Sequence, residues 1–147
     1  MKLTICICTY NRSESLKRCI KSINKLINQS SIKISIIIID NSKNFNVGKI
    51  KSKLINISKY KISFLNEKKR GIVNAKNKFL KNLKNTIPNF ICFFDDDCIV
   101  DKYWLKNAIK TSKTFKADIV TGPQVYPKNK INKNLINYSS FFEKNYN

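Results

Sequence analysis

No histidine occurs anywhere in the 147 residues, and only three glycines and three prolines do. The missing imidazole removes every serine or cysteine nucleophile scheme that needs a histidine base, and it removes the commonest zinc ligand. With Gly48, Gly71 and Gly122 as the whole glycine complement, the chain has neither a phosphate-binding P-loop nor a dinucleotide fingerprint. Val100 stands where a calcium loop beginning at Asp95 would need its glycine, so an EF-hand is excluded as well. A phosphate-receiver domain would want acidic residues after the first strand, where this chain has Thr9 and Tyr10. Five cysteines form no CxxC pair, and four of them lie in or beside apolar runs. That pattern suits buried thiols in a reducing compartment. No stretch resembles a signal peptide, and the apolar run at 36–39 is far too short to span a bilayer. A cytoplasmic location is therefore expected.

Acidic residues are scarce too: nine, against 29 lysines and arginines, for a formal net charge of +20. Only Arg12, Arg18 and Arg70 are arginines. The abundance of lysine, asparagine and isoleucine, all with A/T-rich codons, accounts for much of that charge as genome composition. The surface it makes would still attract phosphates, anionic lipid or nucleic acid in a salt-dependent way. An apolar fraction of 42% and this length suit one compact domain with a real core.

What is present alternates. Leu3–Cys8, Ile34–Ile39, Lys61–Leu65, Phe90–Phe94 and Asp118–Thr121 read as strands, the second as a continuous apolar run of the fully buried kind. Between them, Leu16, Cys19, Ile20, Ile23, Leu26 and Ile27 recur at helical spacing, with Asn11 and Glu14 in capping-box positions. Ile50, Leu54 and Ile57 mark a weaker helix, and Ile72, Val73, Phe79, Leu80 and Leu83 a stronger one. Asp101 is placed to cap a helix carrying Trp104, Leu105, Ala108 and Ile109. The order predicts an α/β fold with a mostly parallel sheet flanked by helices.

The polar residues fall where strands end. Thr9, Tyr10, Asn11 and Arg12 follow the first, Asp40, Asn41 and Ser42 the second, Lys68, Lys69, Arg70 and Gly71 the third. Asp95, Asp96 and Asp97 follow the fourth. In an open parallel sheet these ends share one edge, and ligands bind there. Three carboxylates suit a hard divalent cation. In an extended segment Asp95 and Asp97 would face one side and Asp96 the other. Arg12 and Arg70 suit phosphate, and Asp40 could accept hydrogen bonds from a base. Together these point to a nucleotide. The competing reading makes the aspartates a solvated turn and a helix cap.

TICICTYNR, IIIIDNS, KRGIVNAKN and FFDDDCIVDKYWL, followed by ADIVTGPQVYP, resemble the amino-terminal half of family 2 glycosyltransferases of the GT-A fold, over roughly residues 2–127. The resemblance implies a Rossmann-like GT-A domain at 1–127 that binds a nucleotide-sugar, most often UDP-linked, with Mn²⁺ or Mg²⁺. It implies transfer of the sugar to a glycan or lipid-linked acceptor in polysaccharide biosynthesis. Carried over by position, Thr9, Tyr10, Arg12, Asp40, Asn41, Arg70, Asn74, Asp95 and Asp96 would bind the nucleotide-sugar, and Asp97 with Asp95 the metal. Gly71, Ala75 and Asn77 match the small-residue and asparagine pattern, while Lys76 replaces a frequent arginine. The family's catalytic base is a later carboxylate. After Asp101 only Asp118 and Glu143 remain, neither in the family's context. The fold is thus expected as a truncated one, with residues 128–147 as a polar, aromatic tail that begins the missing acceptor half. A catalytically inactive nucleotide-sugar binding module is the alternative. A basic nucleic-acid binder rests on charge alone, and a specific nucleic-acid partner is not expected. The basic surface would suit peripheral association with the inner face of a membrane.

Overall fold

In the computed structural model of the chain, residues 1–27, 31–83 and 87–123 are described. Four strands, β1 (Lys2–Thr9), β2 (Lys33–Asp40), β3 (Lys61–Asn66) and β4 (Phe90–Asp95), form one sheet of order β3-β2-β1-β4. Every neighbouring pair is parallel. Helices α1 (Ser13–Ile23), α2 (Lys51–Ile57), α3 (Ile72–Asn82) and α4 (Trp104–Phe115) fill the connections, with a short 3-10 turn at Asn46–Ile50 before α2.

The connections step from β1 to β2 to β3 in one direction, then back across to β4 on the far side of β1. Right-handed crossovers therefore put α1 and α2 on one face of the sheet and α3 on the other. The two cores follow that division. On the α1–α2 face, Leu3, Ile5, Ile7, Ile34, Ile36 and Ile38 pack with Leu16, Ile20, Ile23 and Leu54. On the other, Cys6, Ile37 and Ile39 pack with Ala75, Phe79 and Leu83 of α3 and the residue after it. Alternate residues of one strand thus enter different cores, which is why β2 must be apolar throughout.

Four local expectations are corrected. Asn11 does not cap α1: Arg12 holds that position without a side-chain cap bond, and Asn11 has a left-handed φ of 56° and accepts a 2.6 Å bond from Asn46. Glu14 bonds Lys17 instead of closing a capping box. The fifth strand is absent, for residues 118–121 pair with no strand among the described residues. A strand exists only through a ladder partner, and the apolar pattern of that segment could not report whether one was present. Nor does Asp101 cap α4: Tyr103 holds that position without a side-chain cap bond, and Asp101 closes the turn before the helix by accepting the Tyr103 N–H at 2.7 Å. The tail at 128–147 lies outside the described residues. No described helix is long and apolar enough to cross a membrane.

Phe79 is the largest fully buried side chain and meets Phe93 of β4 edge-on, with ring centroids 5.5 Å apart. Only α3 covers this face among the described elements, so little else can relax into the space. Phe79→Ala is expected to lower the unfolding free energy by about 3–5 kcal/mol in urea titrations. The exposed neighbour Leu80→Ala should change it by less than about 0.5 kcal/mol.

Candidate functional site

The order of the sheet reverses beside β1, whose neighbours are β2 and β4. A cleft of about 340 Å³ opens at this point, at the carboxyl ends of the strands, lined in part by Thr9, Tyr10, Arg12, Asn41, Arg70 and Gly71. Asp95, Asp96 and Asp97 complete the polar lining. Four separate chain segments predicted to meet at one edge do meet there.

β4 ends at Asp95, and the chain turns at once, with the Cys98 N–H bonded to the Asp95 carbonyl at 3.2 Å. The aspartates are therefore not in an extended run, and the expected division of Asp95 and Asp97 from Asp96 does not hold. Asp96, only 4% exposed, accepts the Thr9 hydroxyl at 2.6 Å. One Arg12 Nη1 then lies 3.5 Å from Asp96 Oδ1 and 3.2 Å from Asp97 Oδ2. Register explains the first contact: Cys8 pairs with Asp95, so Thr9 and Asp96 are the next residues out on adjacent strands.

Asp40 departs from expectation. It has no exposed surface and lies below the cleft rather than in its lining. Its Oδ1 accepts the Ser42 N–H at 2.9 Å and its Oδ2 the Val47 N–H at 2.7 Å. A direct contact between this carboxylate and a base has no surface to use. Asp40 anchors the loop between β2 and the 3-10 turn, which includes Phe45 at a left-handed φ of 47°. Asn66 closes the same loop by donating to the Asp40 and Ser42 carbonyls, each at 2.8 Å.

Asn41 is likewise committed within the protein. Its amide nitrogen donates to the Glu67 and Lys69 carbonyls at 2.8 Å, and its Oδ1 accepts the Gly71 N–H at 2.8 Å. These bonds fix the segment that carries Arg70, whose guanidinium lies over the Tyr10 ring, 4.9 Å from its centroid. Gly71 has φ 128°, a backbone region L side chains rarely adopt, and an added Cβ would lie 3.2 Å from Asn74 Nδ2. Asn74 itself bonds the Arg70 carbonyl at 3.0 Å and, like Asn77, lies outside the cleft lining. Ala75 lies within it, buried.

The sequence reading missed Cys8 and Ile72 as lining residues. Alternation was the available signal: Cys6 and Cys8 share a face of β1, with sulfurs 3.9 Å apart. The hydrogen bond between them pushes the Cys6 thiol up, burial adding to this, and holds Cys8 below the ordinary thiol value, with Lys76 adding to the effect. Burial pushes Cys19 and Cys92 up to about 12 and raises Cys98. All five are free thiols, as their positions in the sequence suggested. Among the described residues no three carboxylate or thiol side chains converge as a preformed metal cage.

Two outcomes are expected from this geometry. Asp40→Ala strands two buried N–H groups, each costing about 1–3 kcal/mol, so denaturant titration should show a loss well beyond that of a surface carboxylate. Among the thiols, Cys8 should react first with iodoacetamide. Its rate should rise to a plateau at lower pH than an ordinary thiol, because its thiolate persists further down the pH scale; peptide mapping after brief labelling checks both points.

Comparison with known proteins agrees with this architecture. The family model described as "Glycosyl transferase family 2" matches residues 4–147. Glycosyltransferase GlyA of Streptococcus pneumoniae serotype 4 is 24% identical over 121 residues, covering 82% of this chain and 16% of that protein. The crystal structure of S. aureus TarS superposes with a TM-score of 0.64 at 23% identity, over 87% of this chain and 23% of TarS. A 1–349 form of TarS in complex with UDP-GlcNAc gives 0.61 at 23% identity, over 86% of this chain and 37% of that one. The mannosyltransferase PcManGT of Pyrobaculum calidifontis, in complex with GDP-Man and Mn²⁺, gives 0.64 at 17% identity, over 75% and 32%. The chain thus spans between about a sixth and two-fifths of the length of these relatives. With a family match along nearly its whole length and a four-stranded parallel sheet of the GT-A type, the chain belongs to glycosyl transferase family 2.

Proposed function

We propose that the cleft binds a nucleotide-diphosphate sugar, with UDP as the carrier, and that the chain is the donor-binding part of a glycosyltransferase. The observation that carries this reading is the meeting of two arginines, three aspartates and the Thr9 hydroxyl in one cleft at the point where strand order reverses. The complexes of TarS with UDP-GlcNAc and of PcManGT with GDP-Man support it.

In this reading the Tyr10 ring and the loop anchored by Asp40 border the base, and Arg70 lies toward the diphosphate. Asp97, exposed at the cleft, leads in holding the cation with Asp95 beside it, while Asp96 is held beneath them by the Thr9 hydroxyl. The donor set fits a hard cation such as Mn²⁺ or Mg²⁺: oxygen ligands only, with Asp97 exposed and already attracting a guanidinium. A preformed cage is not required, since such ions are commonly held by one or two carboxylates together with the phosphates of the ligand. When bound, the cation would take up charge on the leaving diphosphate. Arg12 and Arg70 supply further positive charge at the same edge.

The acceptor hydroxyl needs a base, which contributes about 10²–10⁴-fold to such a step. Asp101, the first carboxylate after the cluster, is tied to the Tyr103 N–H in the turn before α4. Asp118 is exposed beyond that helix, and neither lines the cleft; Glu143 lies outside the described residues. We therefore assign the base and the acceptor wall to another segment or chain. The acceptor is a glycan or lipid-linked saccharide at the inner face of a membrane, where the lysine-rich surface would hold the protein against anionic lipid.

Calorimetric titration tests the donor reading. UDP should bind in Mn²⁺ and lose at least about tenfold in affinity on chelation or in Asp97→Asn, as expected for loss of contacts to a charged group. Uridine should be indifferent to both changes. Equal UDP affinity under all three conditions would exclude the cation assignment. With donor, Mn²⁺ and glycan acceptors, the chain alone should show no more than slow donor hydrolysis; multiple-turnover transfer would place a base within these residues.

A further inference from the structure

Two of the three adjacent aspartates, Asp96 and Asp97, share one basic side chain. Among the described residues, the ion pairs of this cluster are those of Arg12 with Asp96 and Asp97, both through the same Nη1. The two carboxylates differ in freedom. Asp96 is buried and fixed by Thr9, whereas Asp97 is mostly exposed, with 59% of its side-chain surface open to solvent. Arg12 is 60% exposed at its side chain. Its backbone is anchored, since its carbonyl accepts the Leu16 N–H at 3.0 Å in the first turn of α1. The guanidinium is thus tethered at the cleft edge and free to rotate about its stem.

Resting on the donor-and-cation reading above, we propose that Arg12 serves as the counter-cation of Asp96 and Asp97 until cation and diphosphate bind. Asp97 cannot serve a divalent ion while the guanidinium keeps its place, because like charges at such separation repel. The arginine must leave Asp97, and a diphosphate at the same edge offers its planar fork a better partner. Cation and nucleotide binding are then coupled through one side chain. A cation alone has to displace Arg12 with nothing to receive it, whereas a cation arriving with a diphosphate does not. By linkage the coupling is reciprocal.

The opposite signs of two effects separate this role from a merely structural one. Binding of Mn²⁺ to the whole chain is followed by loss of the free-ion electron paramagnetic resonance signal, first without nucleotide and then with saturating UDP. Removing the counter-cation in Arg12→Ala or Arg12→Gln should tighten Mn²⁺ binding without nucleotide by about 2–5-fold, the range an exposed ion pair supports. The same variants should weaken UDP binding and shrink the enhancement of Mn²⁺ affinity by UDP, while Arg12→Lys retains most of both. Far-ultraviolet circular dichroism identifies a variant that fails to fold, and the glutamine variant preserves side-chain length if alanine does not fold. Unchanged or weaker Mn²⁺ binding in folded Arg12 variants, beside a wild type that binds the ion, would overturn the role of Arg12 and leave the donor reading standing. A wild type that binds no Mn²⁺ even with UDP would overturn the cation assignment, and this inference with it.

Discussion

Parallel pairing of β1 with β2 on one side and β4 on the other sets almost everything that follows. Because both ladders run in the same direction, the carboxyl ends of the strands emerge together, and the residue after each strand is brought to one edge. The same pairing decides that Thr9 stands beside Asp96 and not beside Asp95, since Cys8 and Asp95 are partners in register. A shift of one residue would turn the buried hydrogen bond away from Asp96 and expose the apolar residues of β4 on the wrong face. The cost of such a shift lies in the cores, where alternate residues of each central strand are already committed to opposite faces.

Around that edge the protein uses two kinds of polar residue. Asp40, Asn41 and Asn66 are spent on the backbone of the loops, and their bonds to carbonyl and N–H groups are what hold the rims in place. Arg12, Arg70, Tyr10 and Asp97 stand further out, exposed along the cleft. The division follows burial. A polar group without access to solvent has to find partners within the protein, so the inner residues build the cleft and the outer ones face it. Among the described residues, the ion pairs of the aspartate cluster are made by Arg12, one of only three arginines, and by none of the lysines.

The sheet also has an uneven finish. On the α3 side of β4, Ile91 and Phe93 remain more than two-fifths exposed, because α3 alone packs there among the described elements. Family 2 relatives are several times longer than this chain. The described sheet is self-consistent as a packed unit, with β1 and β2 enclosed on both faces, whereas its outer strands keep the partial exposure of edges.

The sequence by itself determined the types of the four strands and four helices that form, because hydrophobic period is a local property: continuous apolar runs cannot be amphipathic helices, and residues recurring at three and four cannot be half-buried strands. It also determined which residues would gather, since polar clusters after successive strands of a parallel sheet have one edge to go to. Tertiary structure alone decided what each of those residues does. Nothing local distinguishes Asp40, sealed beneath a loop, from Asp97, open to solvent: both are aspartates that follow an apolar strand run. The turn at Asp96, the absence of a strand at 118–121 and the sharing of Arg12 between two carboxylates each depend on a partner distant in the chain. A hydrogen bond or a ladder requires both of its members in place, and one member's sequence neighbourhood carries no record of the other.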